Sequence, residues 1–467
     1  MKSFDFLIIG SGPAGQKAAI QGAKEGRKVC LIESESQVGG MCVHKGTIPS
    51  KALRESALRY KNAHRLLVTD LPTELAPLML NVGRIIDAHD SYITAQLDRN
   101  NIQCVHGKAA FIDAHTVEVT SPGGKSQQLT ANTIFIATGS VPRQPTNIDI
   151  DHECILDSDS ILSMNYLPKS MLVLGGGVIA CEYASVFAEL GVEVTLVDRF
   201  PRPLGFLDAD LPDRFIAEFE AAGGRFLGNK EVRRAGFNGV SGATLELETG
   251  EQLEAEKMLV ALGRISNVRG LKLDAAGVTM TDLSLIEVND HCQTNVPHIY
   301  AVGDVIGPPS LASTSMEQGR RAACHALGME LTGRHNVIPV GIYAIPELSA
   351  VGLTESQARA IHGDVTVGYA EFTEIARGQI TGSLNGMLKM ISDSDGVEVL
   401  GVHIVGEGAS ELIHLGQMAL IEGTPVDRFV EQIFNFPTLA EAYRVAALSI
   451  RGQVQIRKNE QRVAMGS

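Results

Sequence analysis

The stretch Phe6-Leu7-Ile8-Ile9-Gly10-Ser11-Gly12-Pro13-Ala14-Gly15 decides the fold of the N-terminal part of the chain. A short apolar run leads directly into glycines spaced G-x-G-x-x-G, and the Ala-rich stretch Ala18 to Ala23 follows. The next apolar run, Val29 to Ile32, ends at Glu33, roughly 20 residues after the first glycine, as dinucleotide-binding folds require. We therefore predict a βαβ unit in which Gly10, Gly12 and Gly15 let the backbone approach a pyrophosphate and Glu33 binds ribose hydroxyls.

The same pattern occurs a second time. The apolar run Met171 to Leu174 precedes Gly175-Gly176-Gly177-Val178-Ile179-Ala180, in which Ala180 takes the third glycine position. A helical stretch, Glu182 to Leu190, and a further apolar run ending at Asp198 complete the unit. Two such units predict two dinucleotides, whereas a simple dehydrogenase needs only one.

Three more apolar runs end in glycine turns. The runs lead into Thr138-Gly139, Gly263-Arg264 and Gly303-Asp304, and an acid in the position of Asp304 binds a ligand hydroxyl or caps a helix.

From about residue 340 the pattern predicts an antiparallel sheet with helices and no nucleotide motif. Its predicted elements are strands Leu348 to Gly352, Gly386 to Ile391 and Val399 to Val405, and helices Ser410 to Ile421 and Leu439 to Arg451.

Composition excludes several functional classes. The chain has 467 residues and a net charge of −14, which makes it a poor binder of nucleic acid. Its seven cysteines are scattered without C-x-x-C spacing, so we expect neither a disulfide framework nor a metal site. No apolar run reaches the roughly 18 residues of a membrane span. We therefore expect a soluble, cytoplasmic protein.

The motifs, taken in order, resemble those of the flavoprotein disulfide reductases, the family of dihydrolipoamide dehydrogenase and glutathione reductase. The resemblance extends from Gly10 to about Leu448. The motifs that carry it are Gly10-x-Gly12-x-x-Gly15 with Glu33, Gly39-Gly40, Gly46 with Ile48-Pro49-Ser50-Lys51, Ala137-Thr138-Gly139, Gly175-Gly176-Gly177, Ala301-Val302-Gly303-Asp304 and Pro346-Glu347 with Val351-Gly352.

This resemblance implies an α/β fold with two Rossmann-like dinucleotide-binding domains, for FAD and NAD(P), and a C-terminal α+β dimerisation domain. The expected bounds are 1–147 and 271–337 for the FAD domain, 148–270 for the NAD(P) domain, 338–452 for the dimerisation domain and 453–467 for a fraying tail. The implied FAD contacts are Gly10, Gly12, Gly15, Glu33, Gly40, Cys42, Lys51, Thr138, Gly139 and Asp304. The implied NAD(P) contacts are Gly175, Gly177, Ala180, Glu182, Asp198, Arg199 and Gly263.

Two departures from the family pattern bear on the reaction. The disulfide reductases carry two cysteines after Gly-Gly, but here Cys42 is followed by Thr47, and a hydroxyl cannot form a disulfide. The family's C-terminal base, a histidine before Pro-Thr, is Phe436. Because the nucleotide motifs are kept, we expect a flavin that reacts with something other than thiols.

The segments around Lys51 and Phe434 to Leu448 look like those of the soluble, energy-independent (Si-specific) pyridine nucleotide transhydrogenases. That resemblance implies ping-pong hydride transfer from NADPH to NAD⁺ through flavin N5. Lys51 would lie near N5 and pair with Glu182, as in the family. Cys42 is either a spectator or a reactive thiolate or sulfenate. The alternatives are an NAD(P)H oxidase or quinone reductase of the same fold, and a flavin-bound redox sensor without significant turnover.

Nucleotide choice and assembly complete the expectations. Asp198 suits an NAD ribose and repels a 2′-phosphate, whereas Arg199 resembles an arginine that grips this phosphate in NADPH-dependent relatives. Together they suit a site that accepts both nucleotides, and a strictly NAD-linked enzyme remains the alternative. The apolar segment Phe434 to Leu448 predicts a homodimer in which the region of Phe436 completes the partner's site.

Overall fold

The structure is a computed structural model that describes residues 2–67, 74–331 and 336–465. Its strands are β1 Lys2–Ile9, β2 Val29–Glu33, β3 Gln103–His106, β4 Lys108–Phe111, β5 Thr116–Thr120, β6 Ser126–Ile136, β7 Ser140–Pro142, β8 Ile155–Asp157, β9 Ser170–Leu174, β10 Glu193–Val197, β11 Arg225–Leu227, β12 Val232–Phe237, β13 Ala243–Leu247, β14 Gln252–Ala255, β15 Lys257–Val260, β16 Arg264–Ser266, β17 Ile299–Ala301, β18 Val340–Ile342, β19 Leu348–Gly352, β20 Val365–Glu371, β21 Met387–Asp393 and β22 Val399–Val405.

Helices occur between these strands and after the last of them. They are α1 Pro13–Lys24, α2 Gly40–His44, α3 Thr47–Leu67, α4 Leu75–Arg99, α5 Val178–Glu189, α6 Asp210–Ala221, α7 Ala312–Ala326, α8 Glu355–His362, α9 Ala376–Thr381, α10 Ala409–Glu422, α11 Val426–Glu431 and α12 Glu441–Met465. Within the described ranges, no helix is long and apolar enough to cross a membrane.

The first sheet is built around β1. Its order is β3-β2-β1-β6, with β17 returning late in the chain to pair in parallel with β6 and with β4 and β5 added in antiparallel orientation. Phe6 and Ile8 face the core beside α1, whereas Leu7 and Ile9 face a second core on the other side. Burial on both faces explains why β1 ends as a continuous apolar run.

The second domain repeats this plan with a parallel sheet of order β11-β10-β9-β15-β8. Strand β9 pairs with β10 and β15, and α5 follows it directly. A separate antiparallel sheet of β12, β13 and β14 packs nearby, through contacts between β14 and β9. The predicted doubling of the dinucleotide-binding unit is confirmed.

The third domain contains the predicted antiparallel sheet, in the order β18-β19-β22-β21-β20, with α10 and α12 packed against it. The prediction that the chain frays after residue 452 is wrong, because α12 continues to Met465. Val454 joins the domain core, and the amide of Gln453 donates to the Val367 carbonyl at 2.7 Å. These contacts with the sheet hold the helix beyond the predicted end.

Candidate active site

One continuous cleft of about 2400 Å³ runs between the two glycine loops and reaches the third domain. Every predicted site residue lines it except Gly15 and Ala180. A Cβ at Gly15 would collide with the carbonyl oxygen of Gly10, and Ala180 is fully buried. These two residues lie behind the turns and do not line the cleft.

The first glycine loop forms an open cradle at the start of α1. Gly10 has φ +106°, and a Cβ there would overlap the Ala137 carbonyl, so only glycine fits. A Cβ at Gly12 would meet no atom within 4 Å, and no side chain caps the helix there. The unpaired N–H groups of the first turn therefore face space that a pyrophosphate can fill.

Glu33 lies at the end of β2 and is held by neighbouring hydrogen bonds. Its carboxylate accepts the Ser11 N–H at 2.9 Å, the Ser11 hydroxyl at 2.5 Å and the Glu35 N–H at 2.9 Å. The Ser11 oxygen in turn accepts the Gly39 N–H at 2.9 Å. Ser11 thus links the first glycine loop, Glu33 and the start of α2. The sequence carried no signal for this role beyond the place of Ser11 between two glycines.

The far wall of this half of the cleft contains an unpartnered hydroxyl. Thr138 Oγ1 is buried, and none of the described residues hydrogen-bonds to it. Nearby, Asp304 accepts a hydrogen bond from Ser140 at 2.8 Å, and Ser140 accepts one from Arg264 at 2.9 Å. A second Arg264 nitrogen lies 3.1 Å from Asp159. Sequence reasoning missed Arg264, although it directly follows the predicted strand and glycine turn.

Lys51 and Glu182 meet where the three domains converge. The Lys51 ammonium lies 2.7 and 2.9 Å from the two oxygens of Glu182, and the Tyr343 N–H donates to the same carboxylate at 2.9 Å. The Glu182 side chain is only 7% exposed and that of Lys51 is 26% exposed. The predicted pair is present, and it leaves part of a positive charge facing the cleft.

Cys42 lies on the same side of the cleft, at the turn that α2 forms. Burial raises the pKa of its thiol, and this outweighs the opposite effects of a hydrogen bond with Thr47 and of the Lys51 charge. Cys42 is the only cysteine among the described residues that line the cleft. Phe436 does not line this cleft and is 74% exposed.

The second glycine loop has the geometry of the first. Gly175 has φ +107° against the Ala261 carbonyl, and Gly177 opens to free space at the start of α5. Asp198 is buried at the end of β10, and this burial raises the pKa of its carboxyl group. Arg199 is exposed, with its guanidinium 4.6 Å from the centroid of the Phe200 ring.

Two family models match this chain. The model of the family described as pyridine nucleotide-disulphide oxidoreductase matches residues 4–319, and the model of that family's dimerisation domain matches residues 338–447. The chain belongs to this family. The predicted fold class and the predicted family resemblance are confirmed.

Two relatives with about 40% identity over nearly the whole chain share one name. The chain is 40% identical to a soluble pyridine nucleotide transhydrogenase of Mycobacterium bovis, covering 97% of this chain and 98% of that protein. It is 41% identical to one of Yersinia enterocolitica, covering 96% and 97%. Among solved structures, the Cu(II) complex of the HOCl-induced flavoprotein disulfide reductase RclA from Escherichia coli matches with TM-score 0.88 and 27% identity, covering 96% and 99%.

Proposed function

We propose that the protein is a FAD-dependent transhydrogenase that transfers a hydride between NADPH and NAD⁺. The observation that carries this proposal is the pairing of Cys42 with the hydroxyl of Thr47 instead of a second thiol. Without a second sulfur at this position the cleft cannot pass electrons to a disulfide substrate. The names of the relatives support the same reaction.

The residues of the first domain fit FAD. The open cradle at Gly12 suits a pyrophosphate, Glu33 suits the ribose, and the buried unpartnered Thr138 hydroxyl needs a hydrogen-bonding ligand. Asp304 keeps one oxygen beyond its bond to Ser140 and would bind a ribityl hydroxyl. When bound, the flavin supplies the chemistry, since it accepts a hydride from one nicotinamide and gives it to another.

Lys51 would act electrostatically in this site. Glu182, itself held by the Tyr343 N–H, fixes the position of the Lys51 ammonium. A fixed positive charge stabilises negative charge that develops beside it. Hydride transfer between nicotinamides needs no protein acid or base. Phe436 in place of the family's histidine is therefore compatible with the reaction.

The second domain would bind both nucleotides in turn. Gly175 allows the tight turn, and Gly177 and Gly263 leave room for the pyrophosphate. Asp198 would bind the ribose of NAD(H), and Arg199 would contact the 2′-phosphate of NADP(H). We also propose Si-specific transfer, a cytoplasmic location, and a homodimer in which the Phe436-Pro437 segment completes the partner's cleft. The match to the dimerisation domain supports the dimer.

The test is to reduce the flavin-loaded protein anaerobically with NADPH and then add one acceptor at a time. We expect NAD⁺ to reoxidise the flavin at the rate of turnover, and lipoamide or glutathione disulfide to be inert. Reoxidation only by oxygen or a quinone would identify an oxidase or quinone reductase instead. Flavin that no acceptor reoxidises would identify a redox sensor.

A further inference from the structure

A buried lysine joins the second and third domains away from the reacting centre. Lys389 lies in β21, and its side chain is only 2% exposed. Its ammonium lies 2.6 Å from Asp210, 2.8 Å from Glu355 and 3.4 Å from Asp208. Burial alone lowers the pKa of Lys389, but hydrogen bonds to Asp210 and Glu355 outweigh it and hold the pKa above its usual value. The lysine therefore stays charged among three carboxylates.

Other groups around the cluster fix the same two aspartates. The Glu355 N–H donates to Asp208 at 2.9 Å, and the Tyr369 hydroxyl donates to Asp210 at 3.1 Å. His403 Nε2 donates to the Leu353 carbonyl at 2.9 Å and lies 3.8 Å from Asp208. All of these partners belong to the third domain, whereas the aspartates belong to the second.

The two aspartates lie at the end of the loop that lines the nucleotide half of the cleft. This loop, residues 199–209, contains Arg199 and Arg202, the two arginines nearest to Asp198 in sequence. At its middle, the Leu204 N–H donates to the Gly176 carbonyl at 2.7 Å. At its start, the Lys230 N–H donates to the Asp198 carbonyl at 2.9 Å. The loop is thus fixed at its start to the segment that follows β11, at its middle to the glycine loop, and at its end to Lys389.

We propose that Lys389 is a positioning residue for nucleotide selection, because it fixes the end of loop 199–209. This inference rests on the proposed binding of both nucleotides. Replacing the ammonium by an apolar group removes the charge that Asp208 and Asp210 share, whereas Glu355 keeps its 2.8 Å pair with Arg359. The repulsion therefore falls on the two aspartates and displaces the end of the loop. Only NADP(H) has a 2′-phosphate for the arginines of this loop, so the displacement weakens NADP(H) binding more than NAD(H) binding.

The test compares Lys389→Met with Asn385→Ala in the flavin-loaded enzyme. The Asn385 amide also joins the third domain to α6, because it donates to Glu218 at 2.5 Å, but Glu218 lies two turns beyond Asp210. Calorimetric titration should show the Kd of NADP⁺ rising about five- to fiftyfold in Lys389→Met, with the Kd of NAD⁺ changing less than about threefold. Asn385→Ala should change neither Kd.

An unchanged ratio of the two Kd values in Lys389→Met would overturn the inference, as would an equal loss of both nucleotides. If this variant does not fold, Asp210→Asn replaces a more exposed member of the cluster. It weakens the tie between Lys389 and the end of the loop without adding repulsion, so it should shift the ratio in the same direction by a smaller factor. Because these measurements need no turnover, they are independent of the proposed reaction. A wild-type enzyme that binds both nucleotides but transfers no hydride would refute only the proposed function.

Discussion

Breaking the Lys51–Glu182 pair should destabilise the fold and slow flavin reduction together. Lys51→Met removes two hydrogen bonds, of 2.7 and 2.9 Å, from a carboxylate that is 7% exposed. The Tyr343 N–H remains as a partner. Removing one partner of a buried ion pair costs about 3–5 kcal/mol. Because water reaches Lys51, which is 26% exposed, we expect a coupling energy of about 2–3 kcal/mol.

A second pair between the same two helices provides the control. Lys61 of α3 lies 2.6 Å from Glu189 of α5, and its side chain is 43% exposed. The Glu189 side chain is only 9% exposed, close to the 7% of Glu182, so the control differs mainly in its more exposed lysine and in lying outside the cleft. Because water screens the more exposed lysine, we expect a smaller coupling energy, about 1 kcal/mol. A double-mutant cycle on each pair isolates the interaction energy.

The assay is urea unfolding of flavin-loaded wild type, Lys51→Met, Glu182→Gln and the double variant, with the equivalent set for Lys61 and Glu189. Stopped-flow reduction by NADPH should slow about a hundredfold in Lys51→Met, which is the usual effect of losing one preorganised charge contact. Lys61→Met should reduce at the wild-type rate. Equal coupling energies in the two cycles, or unaffected reduction in Lys51→Met, would refute the role given to Lys51.

The remaining predictions concern the thiol and the nucleotide site. Cys42→Ser should keep the rate of NADPH-to-NAD⁺ transfer within about tenfold of wild type, about 1.4 kcal/mol in barrier. Because burial raises the pKa of the Cys42 thiol, iodoacetamide should label it slowly at pH 7. Arg199→Ala should weaken the binding of NADP(H) by about 1.5–3 kcal/mol and leave the binding of NAD(H) unchanged. Asp198→Ala should do the reverse. Equal effects on the two nucleotides in a titration would contradict these roles. Gly176→Ala places a Cβ against the Asp198 carboxylate and should weaken both nucleotides by about 1–3 kcal/mol with FAD content unchanged.

The parts of the site that sequence predicts well are those encoded locally. A positive φ at Gly10 and the tight approach at Gly15 are required by one turn, so the spacing of glycines reveals the turn, the helix start and the ligand cradle together. The same holds for Gly175, which has φ +107° against the Ala261 carbonyl, whereas Gly177 leaves open space at the start of α5. A strand and its following acid, as at Glu33, are likewise close in sequence.

The parts that sequence does not predict join residues that are far apart in the chain. The route from Asp304 through Ser140 to Arg264, and the cluster around Lys389, depend on how domains pack against one another. No periodicity in a single segment encodes such contacts. The apolar C-terminal segment shows the same limit, because its residues divide between two environments. Tyr443 is fully buried and donates to the Leu412 carbonyl, whereas Phe436 is mostly exposed.

The two departures from the disulfide reductase pattern have a consequence for the nucleotide site. Residue 47 is a threonine, so the cleft has no second sulfur beside Cys42. If hydride therefore both enters and leaves through a nicotinamide, one nucleotide site must bind two substrates in turn. Such a site cannot be optimised for either ribose alone, which accounts for an acid and an arginine side by side at 198 and 199. Selection between the two nucleotides then depends on the position of loop 199–209. The buried charge of Lys389, in the third domain, fixes the end of this loop. Under the proposed function, the third domain therefore contributes to substrate choice as well as to dimerisation.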